Sequence, residues 1–473
     1  MPDTLLPQRL RPAAAPGWSL PQRLASLSTG RAIFLLDLVT VALLWPAALL
    51  LTQGGDAAPA VLHPAAYLVS LYALGLYRRD VALEVRRSLA RVPVAATAGA
   101  LAAAVVLAVL GAGGGTGMAV RAAGCFLVAG VAARVSFDLL RRRGLFSRAL
   151  LVVGAGRRAW DLAWMLRKEG AYLSYRLVFV HTPELGEVDP RLEDGGWGAV
   201  VNLPADGFLG AAQRFRADGI VVAPDERRGL KLEGLLACKI AGVPVLQYLS
   251  FVEREIRRVD LKRMELSWLL YSDGFVFGTV DRVLKRTLDL VVSSTVLLLA
   301  SPFLLAAMLA IRMEDGGPAL YRQTRITRGG RPFQINKLRT MRVDAESGGA
   351  IWAAEGDSRI TRTGGFLRRT RLDEVPQLFN VLRGEMSFVG PRPERPDFVA
   401  MLSEAIPLYP ERHVAKAGLT GWAQVNYPYG ASIDDARSKL SYDLYYVKNF
   451  SVLFDLLIIL QTIRVVLWPG GVR

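Results

Sequence analysis

Five long apolar stretches constrain this chain first: residues 31–52, 61–77, 92–112, 118–139 and Leu288–Arg312. Each approaches or reaches the roughly 20 residues a helix needs to cross the hydrocarbon of a bilayer. The 52% hydrophobic fraction agrees, being too apolar for an ordinary soluble enzyme. The linkers around the first four stretches set their orientation. TQGGDAAPA and GAGGGTG carry no Lys or Arg, whereas YRRDVALEVRR and RRRGLFSR are strongly basic. Under the positive-inside rule both ends of a four-helix transmembrane bundle over 31–142 face the cytoplasm. A signal peptide at the first stretch is disfavoured by its long leader and the later spans. That leader, 1–30, is rich in Pro, Arg and Ala without apolar periodicity and is expected to be a disordered basic arm.

The fifth stretch is different in kind. Ser301-Pro302 sits near its middle, with Arg282, Lys285 and Arg286 before it and Arg312, Arg322, Arg325 and Arg328 after it. A full span would carry this basic remainder across the membrane, against the charge rule. Proline removes a rung of the helix ladder, and a serine hydroxyl can satisfy a freed carbonyl. The reading is a bent, re-entrant hairpin over 286–312 that enters and leaves on the cytoplasmic face.

Between the bundle and this hairpin the pattern is soluble α/β. ALLVVGAGRRA runs from an apolar strand into Gly154-x-Gly156-x-x-Ala159 and a helix, and further strands are expected at RLVFV, GAVVNL, GIVVAP and VPVLQYL. A parallel sheet between helices follows, a Rossmann-like domain over 146–255. As a cofactor site it is weak, because Phe179-Val180-His181 ends the second strand where an NAD ribose would want an acid. Residues 256–280 read as a linker carrying Trp268 and Tyr271.

The remainder, 281–473, holds the chemistry. Formal net charge is +16, so an anionic partner is expected. Nucleic acid is not supported, since the aromatics are not interleaved with basic residues as stacking platforms. Two cysteines, Cys125 and Cys238, and three histidines leave little material for a thiolate metal site or a histidine triad. GPALYRQTRITRGGRPFQINKLRTMRVDAE reads as a cationic β-hairpin with a Gly-Gly turn. Downstream lies RLDEVPQLFNVLRGEMSFVGPRPERP. Thr370 and Asp373 stand at capping-box spacing, Pro376 suits a first turn and Gly384 a C′ position, so a helix is expected from about Asp373 to about Arg383. Val375, Leu378, Phe379 and Leu382 would form its buried face. Its dipole would favour ionised Asp373 and Glu374. Such a pair can supply a nucleophile and a ligand for Mg²⁺. Lys337, Arg339, Arg371 and Arg392 could offset the charge around a phosphorus, with Arg392 stiffened between Pro391 and Pro393. The C-terminal NFSVLFDLLIILQTIRVVLWPG places Ser451, Asp455 and Thr462 on one helical face and reads as an interfacial amphipathic helix.

On the Ser301-Pro302 break, GPALYRQTRI, KLRTM, LDEVPQLFNVLRGEMSFVGPRP and AGLTGWAQVN, residues 281–473 resemble the monotopic phosphoglycosyl transferases. These are bacterial sugar transferases, the polyprenyl-phosphate hexose-1-phosphate transferases of exopolysaccharide and O-antigen synthesis. The four spans and α/β domain resemble the long-form members. The resemblance implies a multi-domain membrane protein of the bacterial inner membrane with an α+β monotopic catalytic domain on the cytoplasmic face. It implies attack of Asp373 on a UDP-sugar, release of UMP, and transfer of the sugar phosphate to polyprenyl phosphate. Glu374 would be the Mg²⁺ ligand, and Arg392, Lys337 and Arg339 would hold phosphates. A homodimer would fit long-form relatives. The family often has KFR and SLDE where this chain has KLR and RLDE, leaving the acids intact. The alternative is a membrane-attached NAD-dependent nucleotide-sugar dehydratase or epimerase, which needs Tyr-x-x-x-Lys; no tyrosine here has a lysine four residues on. A non-catalytic scaffold whose basic face binds lipid is a third.

Overall fold

The computed structural model describes residues 29–467 apart from 51–56, 113–115, 144, 194–195, 265, 276–277, 344, 346–358, 429 and 431. Nearly all of the expected basic leader lies outside the described residues. The chain divides into two compact units, Met1–Ile256 and Arg257–Arg473.

In the first unit the four expected helices form: α1 (Thr29–Leu50), α2 (Ala57–Ala73), α3 (Val85–Val109) and α4 (Thr116–Arg142). Three are long and apolar enough to cross a membrane; α2, at 17 residues, is shorter. Lipid gives helices no hydrophobic reason to associate, so close packing of small residues must do it. Here Ala95, Ala96 and Ala100 are buried around Tyr67 and Phe126, whose rings stack at 4.6 Å. Gly99 brings α3 so near α2 that a Cβ there would lie 2.7 Å from the Tyr67 Cα. Inside the bundle Arg134 of α4 pairs with Asp37 of α1 and bonds Ser88 of α3 at 3.2 Å, so three helices share one buried charge pair.

The α/β domain follows as β1 (Arg148–Val153), α5 (Arg157–Lys168), β2 (Tyr175–His181), β3 (Ala199–Asn202), α6 (Gly207–Arg214), β4 (Gly219–Val222), α7 (Leu232–Ile240), β5 (Val245–Gln247) and α8 (Tyr248–Ile256). All five expected strands are present, paired in parallel in the order β3-β2-β1-β4-β5. Val152, Val153, Phe179 and Val180 are fully buried, as a sheet covered on both faces requires. Glu255 of α8 ties this domain to the bundle, accepting from Arg79 at 2.9 Å and Tyr175 at 2.5 Å.

The second unit contains α9 (Thr279–Asp315), β6 (Leu320–Ile326), β7 (Pro332–Leu338), α10 (Arg362–Thr370), α11 (Gln377–Arg383), β8 (Ser387–Val389), α12 (Pro396–Ala405), β9 (Gly418–Thr420), α13 (Ile433–Lys448) and α14 (Val452–Leu467). The hairpin β6–β7 forms as expected, turning through Gly329 and Gly330, both at positive φ.

Two expectations need correction. Ser301-Pro302 does not break the fifth apolar stretch into two helices: α9 runs continuously through Pro302, and Ser301 Oγ donates to the Leu298 carbonyl at 2.8 Å. A straight helix of 37 residues would reach about 55 Å. Yet both ends of α9 are fastened to the same small unit. At the start, Lys285 pairs with Asp455 at 2.6 Å, Arg286 donates to the Val381 and Leu382 carbonyls, and Asp289 accepts from Ser387 Oγ and the Phe388 amide. At the end, Glu314 accepts from the first amides of α10, Asp315 pairs with Arg339, and Leu304, Ala307 and Ile311 pack on Leu338 and Leu367.

The second correction concerns α14. Its polar face does not look to water: Asp455 is fully buried, bonded to Lys285 and to Tyr446 at 2.8 Å, and Thr462 meets Thr420 at 2.7 Å. Leu453, Leu456, Ile463 and Val466 face outward instead. The periodicity was real, but buried partners on α9 and α13 claimed the polar side.

Because Lys285 and Asp455 are a buried pair, Asp455→Ala should strip the lysine of its partner. We expect a loss of about 3 kcal/mol, read as a fall in the thermal midpoint of the detergent-solubilised protein; an unchanged midpoint would show that the anchor contributes nothing.

Candidate active site

Strand β7 delivers Lys337, and α10 ends at Thr370 just before the acid pair. Arg371 turns the chain in the left-handed region (φ 60°), and Leu372–Glu374 form a single 3₁₀ turn. After Pro376 the two-turn helix α11 begins. The expected helix from Asp373 is therefore divided. Thr370 Oγ1 donates back to the Phe366 carbonyl at 3.0 Å rather than capping Asp373, the local back-bonding that threonine offers inside a helix. Three residues separate Asp373 from the start of α11, and burial with the neighbouring charges, rather than a helix dipole, sets its charge. On α11, Leu378 and Val381 are buried, whereas Phe379 is exposed. Phe379 and Leu382 instead line a largely apolar cleft of about 470 Å³ with Ser294, Leu298, Ser301 and Leu305 of α9.

Glu374 is the hub. Its Oε1 accepts from Arg392 Nη2 at 2.8 Å and lies 3.4 Å from Lys337 Nζ. Burial alone would raise its pKa, but Arg392, Lys337 and Arg371 outweigh burial and hold the carboxyl well below the usual range. Asp373 next to it goes the other way. Burial, then the fixed charge of Glu374, push it up to about 6 against the opposing pull of Lys337, Arg371 and Arg368. Its Oδ1 is buried without a hydrogen-bond partner. Burial, opposed by Glu374, lowers the Lys337 ammonium. Adjacent carboxyls with pKa values driven apart are a signature of divided chemical roles: Glu374 stays anionic, and Asp373 exchanges its proton near neutrality with one oxygen still unused.

The Gly390-Pro391-Arg392-Pro393 turn is built to present Arg392. Pairing of β8 with β9 fixes its start, with Gly390 N donating to the Thr420 carbonyl at 2.8 Å and Gly418 N to the Pro391 carbonyl at 2.8 Å. No side chain fits at Gly390, where a Cβ would lie 2.2 Å from the Lys416 carbonyl. Arg325 of β6 donates to the Pro393 carbonyl at 3.2 Å. Arg412, fully enclosed, donates to the Arg392 carbonyl at 3.0 Å, to Asp443 at 2.7 Å and to Tyr409 at 2.9 Å.

The structure thus gathers Asp373, Glu374, Lys337 and Arg392, with exposed Arg371 close enough for its charge to act on both acids. Arg339 does not join them. It turns to Asp315, Nη1 to Oδ2 2.9 Å, and secures the end of α9. Ser301 and Pro302 lie in α9, away from the charges. Arg368, Arg412, Tyr409 and Asp443 were not singled out by sequence, and Arg325 was noted only for its charge beside the fifth apolar stretch. The one available signal was Asp443, a lone acid amid the apolar LYYV of α13.

The glycine-rich turn of the α/β domain has a different occupant from the one its motif suggests. Asp225, following β4, accepts from the Arg157 and Arg158 amides at 2.6 and 2.9 Å, at the start of α5. A Cβ at Gly156 would meet the Asp225 carboxylate at 2.2 Å. The position where a dinucleotide's phosphates would sit at a helix N-terminus is filled by the chain itself, so the NAD-dependent reading has no support.

Residues 280–469 match the family model described as bacterial sugar transferase. A UDP-glucose:undecaprenyl-phosphate glucose-1-phosphate transferase of Caulobacter vibrioides is 45% identical over 181 residues, 38% of this chain and 68% of the relative. The chain belongs to the bacterial sugar transferase family. A UDP-N-acetylgalactosamine-undecaprenyl-phosphate N-acetylgalactosaminephosphotransferase of Aeromonas hydrophila is 39% identical over 263 residues, 54% of this chain but only 61% of that relative's length. A Haemophilus influenzae sugar transferase is 30% identical over 356 residues, 70% of this chain and 72% of its own, so similarity to this family member extends well beyond the matched domain.

Two measurements follow from this geometry. Infrared difference titration of the metal-free protein, wild type minus Asp373→Asn, should show a carboxyl that is protonated below and ionised above a midpoint near pH 6; a midpoint near 4 would contradict the coupling to Glu374. Arg412→Met leaves Asp443 buried and unpaired and should cost about 3–5 kcal/mol of stability by thermal unfolding. Adding Asp443→Leu should recover most of it, because replacing both buried charges is far less costly than removing one.

Proposed function

We propose that this protein transfers a sugar-1-phosphate from a UDP-sugar to polyprenyl (undecaprenyl) phosphate through a covalent aspartyl intermediate. The observation that carries the reading is the pair itself: a buried Asp373 with an unused oxygen beside a Glu374 that Arg392, Lys337 and Arg371 keep ionised. In the first step an Asp373 carboxylate oxygen attacks the β-phosphorus. The bond to the bridging oxygen breaks and UMP leaves with it. In the second, a phosphate oxygen of the polyprenyl acceptor attacks the same phosphorus, and the Asp373 oxygen departs as a carboxylate. One difficult transfer becomes two displacements at a single centre. Lys337, Arg371 and Arg392 offset the diphosphate charge that would otherwise repel the attacking carboxylate.

Among the described residues no three His, Cys, Asp or Glu side chains form a ready-made metal cluster. The donor set fits Mg²⁺ nonetheless, since that ion commonly takes one or two carboxylates together with substrate phosphates; Glu374 would hold it, with the orphaned Asp373 Oδ1 alongside. Bound there, Mg²⁺ would neutralise charge on the diphosphate of the donor and on the phosphate of the departing UMP.

The re-entrant reading of α9 is supported by its attachment at both ends to one unit and by the proline and serine at its centre. Such a helix would seat the unit on the cytoplasmic face of the inner membrane, where a water-soluble donor meets a lipid acceptor. The strand order of the α/β domain supports a Rossmann-like fold. A Rhizobium relative named as an exopolysaccharide production protein, 41% identical over 190 residues, supports that pathway. The sugar is left open, as the relatives' names include both glucose and N-acetylgalactosamine. A homodimer is part of the proposal on the resemblance to long-form members.

Asp373→Asn should reduce UMP release by at least about 10³-fold, as loss of a covalent nucleophile does, while leaving folding intact. Brief incubation with UDP-sugar labelled in the sugar should tag the wild type and not the variant. Turnover at wild-type rate in Asp373→Asn would end this assignment.

A further inference from the structure

A second cleft, of about 630 Å³, opens at the turn of the β6–β7 hairpin. Thr327, Arg328, Arg331, Phe333, Glu385 and Lys416 line it. Among the described residues no hydrogen bond or ion pair engages the side chains of Arg328, Arg331 or Lys416. A fourth cation comes from α9. A carbon placed on Gly384, which sits at positive φ at the cleft edge, would lie 3.7 Å from Lys416 Nζ and 3.8 Å from the Arg286 guanidinium, so these two cations converge on one point. Burial and the charges of Arg286, Arg328 and Lys285 push the Lys416 ammonium below its ordinary range.

The nearby acids do not balance these charges. Glu385 already accepts from Asn380 at 2.7 Å, and Asp289 is bonded to Ser387 Oγ and the Phe388 amide at 2.9 Å each, with Lys285 at 3.9 Å. Like charges drawn together in a partly buried cleft raise the free energy, and a bound anion removes that repulsion. The place is separate from the acid pair: Arg331 precedes Lys337 by six residues of extended chain, about 20 Å. Exposed apolar surface lies beside it. Arg286 stands near the beginning of α9, and Leu290, Val291, Val296 and Leu298 just beyond it are exposed and apolar.

We propose that this cleft binds the phosphate of an anionic membrane phospholipid, with Arg286, Arg328, Arg331 and Lys416 as its ligands. Such a contact would hold the hairpin side of the unit against the headgroups while leaving the acid pair to its substrates.

The test uses the full chain in neutral detergent, titrated with phosphatidylglycerol, phosphatidylcholine or inorganic phosphate while its thermal midpoint is followed. Phosphatidylglycerol should raise the wild-type midpoint by about 4 °C, and phosphatidylcholine should not. In Arg331→Gln/Lys416→Gln the rise should fall to less than half, and Lys416→Arg should keep it. Equal shifts in wild type and the double variant, or equal shifts with the two lipids, would overturn the site. A shift with inorganic phosphate equal to that with phosphatidylglycerol would overturn the lipid assignment in favour of a free anion. If the double variant does not fold, native mass spectrometry of the wild type decides: a retained phosphatidylglycerol in preference to phosphatidylcholine supports the site, and no such preference overturns it.

Discussion

The fixed negative charge on Glu374 is the interaction on which the rest of the candidate site depends. Arg392 and Lys337 keep it ionised in a buried position, and it in turn raises the proton affinity of Asp373. Each cation is placed by a different part of the fold. Lys337 comes from a strand, while Arg392 comes from a turn held by β8–β9 pairing, by Arg325 and by Arg412. A change in any of these supports would act on Asp373 through charge, without touching it. The chain therefore commits several buried polar groups to one turn, with Arg412 held by Asp443 and Tyr409 and only the Arg325 Nε left without a hydrogen-bond partner.

The second organising interaction is the fastening of α9. An apolar helix of this length has no reason of its own to stay with a small unit of mixed strands and helices. Charge pairs at both ends supply one: Lys285 with Asp455 at the start, Asp315 with Arg339 at the finish. Between them the helix leaves apolar side chains exposed and opens a cleft against Phe379 and Leu382 of α11. The helix that follows the acid pair thus borders the long apolar helix directly, which puts the cleft and the buried carboxyls onto adjoining elements.

Much of this was legible in sequence where the signal is local. The four apolar helices, the five strands and the Gly-Gly hairpin follow from length, alternation and turn chemistry. The acid pair and Arg392 stood out because stiff or capping residues flank them. What failed was long-range. Nothing near Arg339 indicates that Asp315, 24 residues earlier, will take it; nothing in α14 says that Lys285 will claim its acid. Capping logic put Thr370 ahead of a helix beginning near Asp373, whereas it ends the preceding helix and its hydroxyl bonds a carbonyl behind it. The dipole argument expected both acids to be held ionised; cations hold only Glu374 low, while burial and the charge of Glu374 raise Asp373.

Asp225 gives the α/β domain a property best put as competition. A carboxylate tethered beside the amides of Arg157 and Arg158 acts at an effective concentration on the order of millimolar or higher. Any free nucleotide must outcompete it, and must also leave the displaced acid near its own phosphates. The domain keeps the geometry of a phosphate cradle, and its own Asp225 carboxylate stands where that phosphate would.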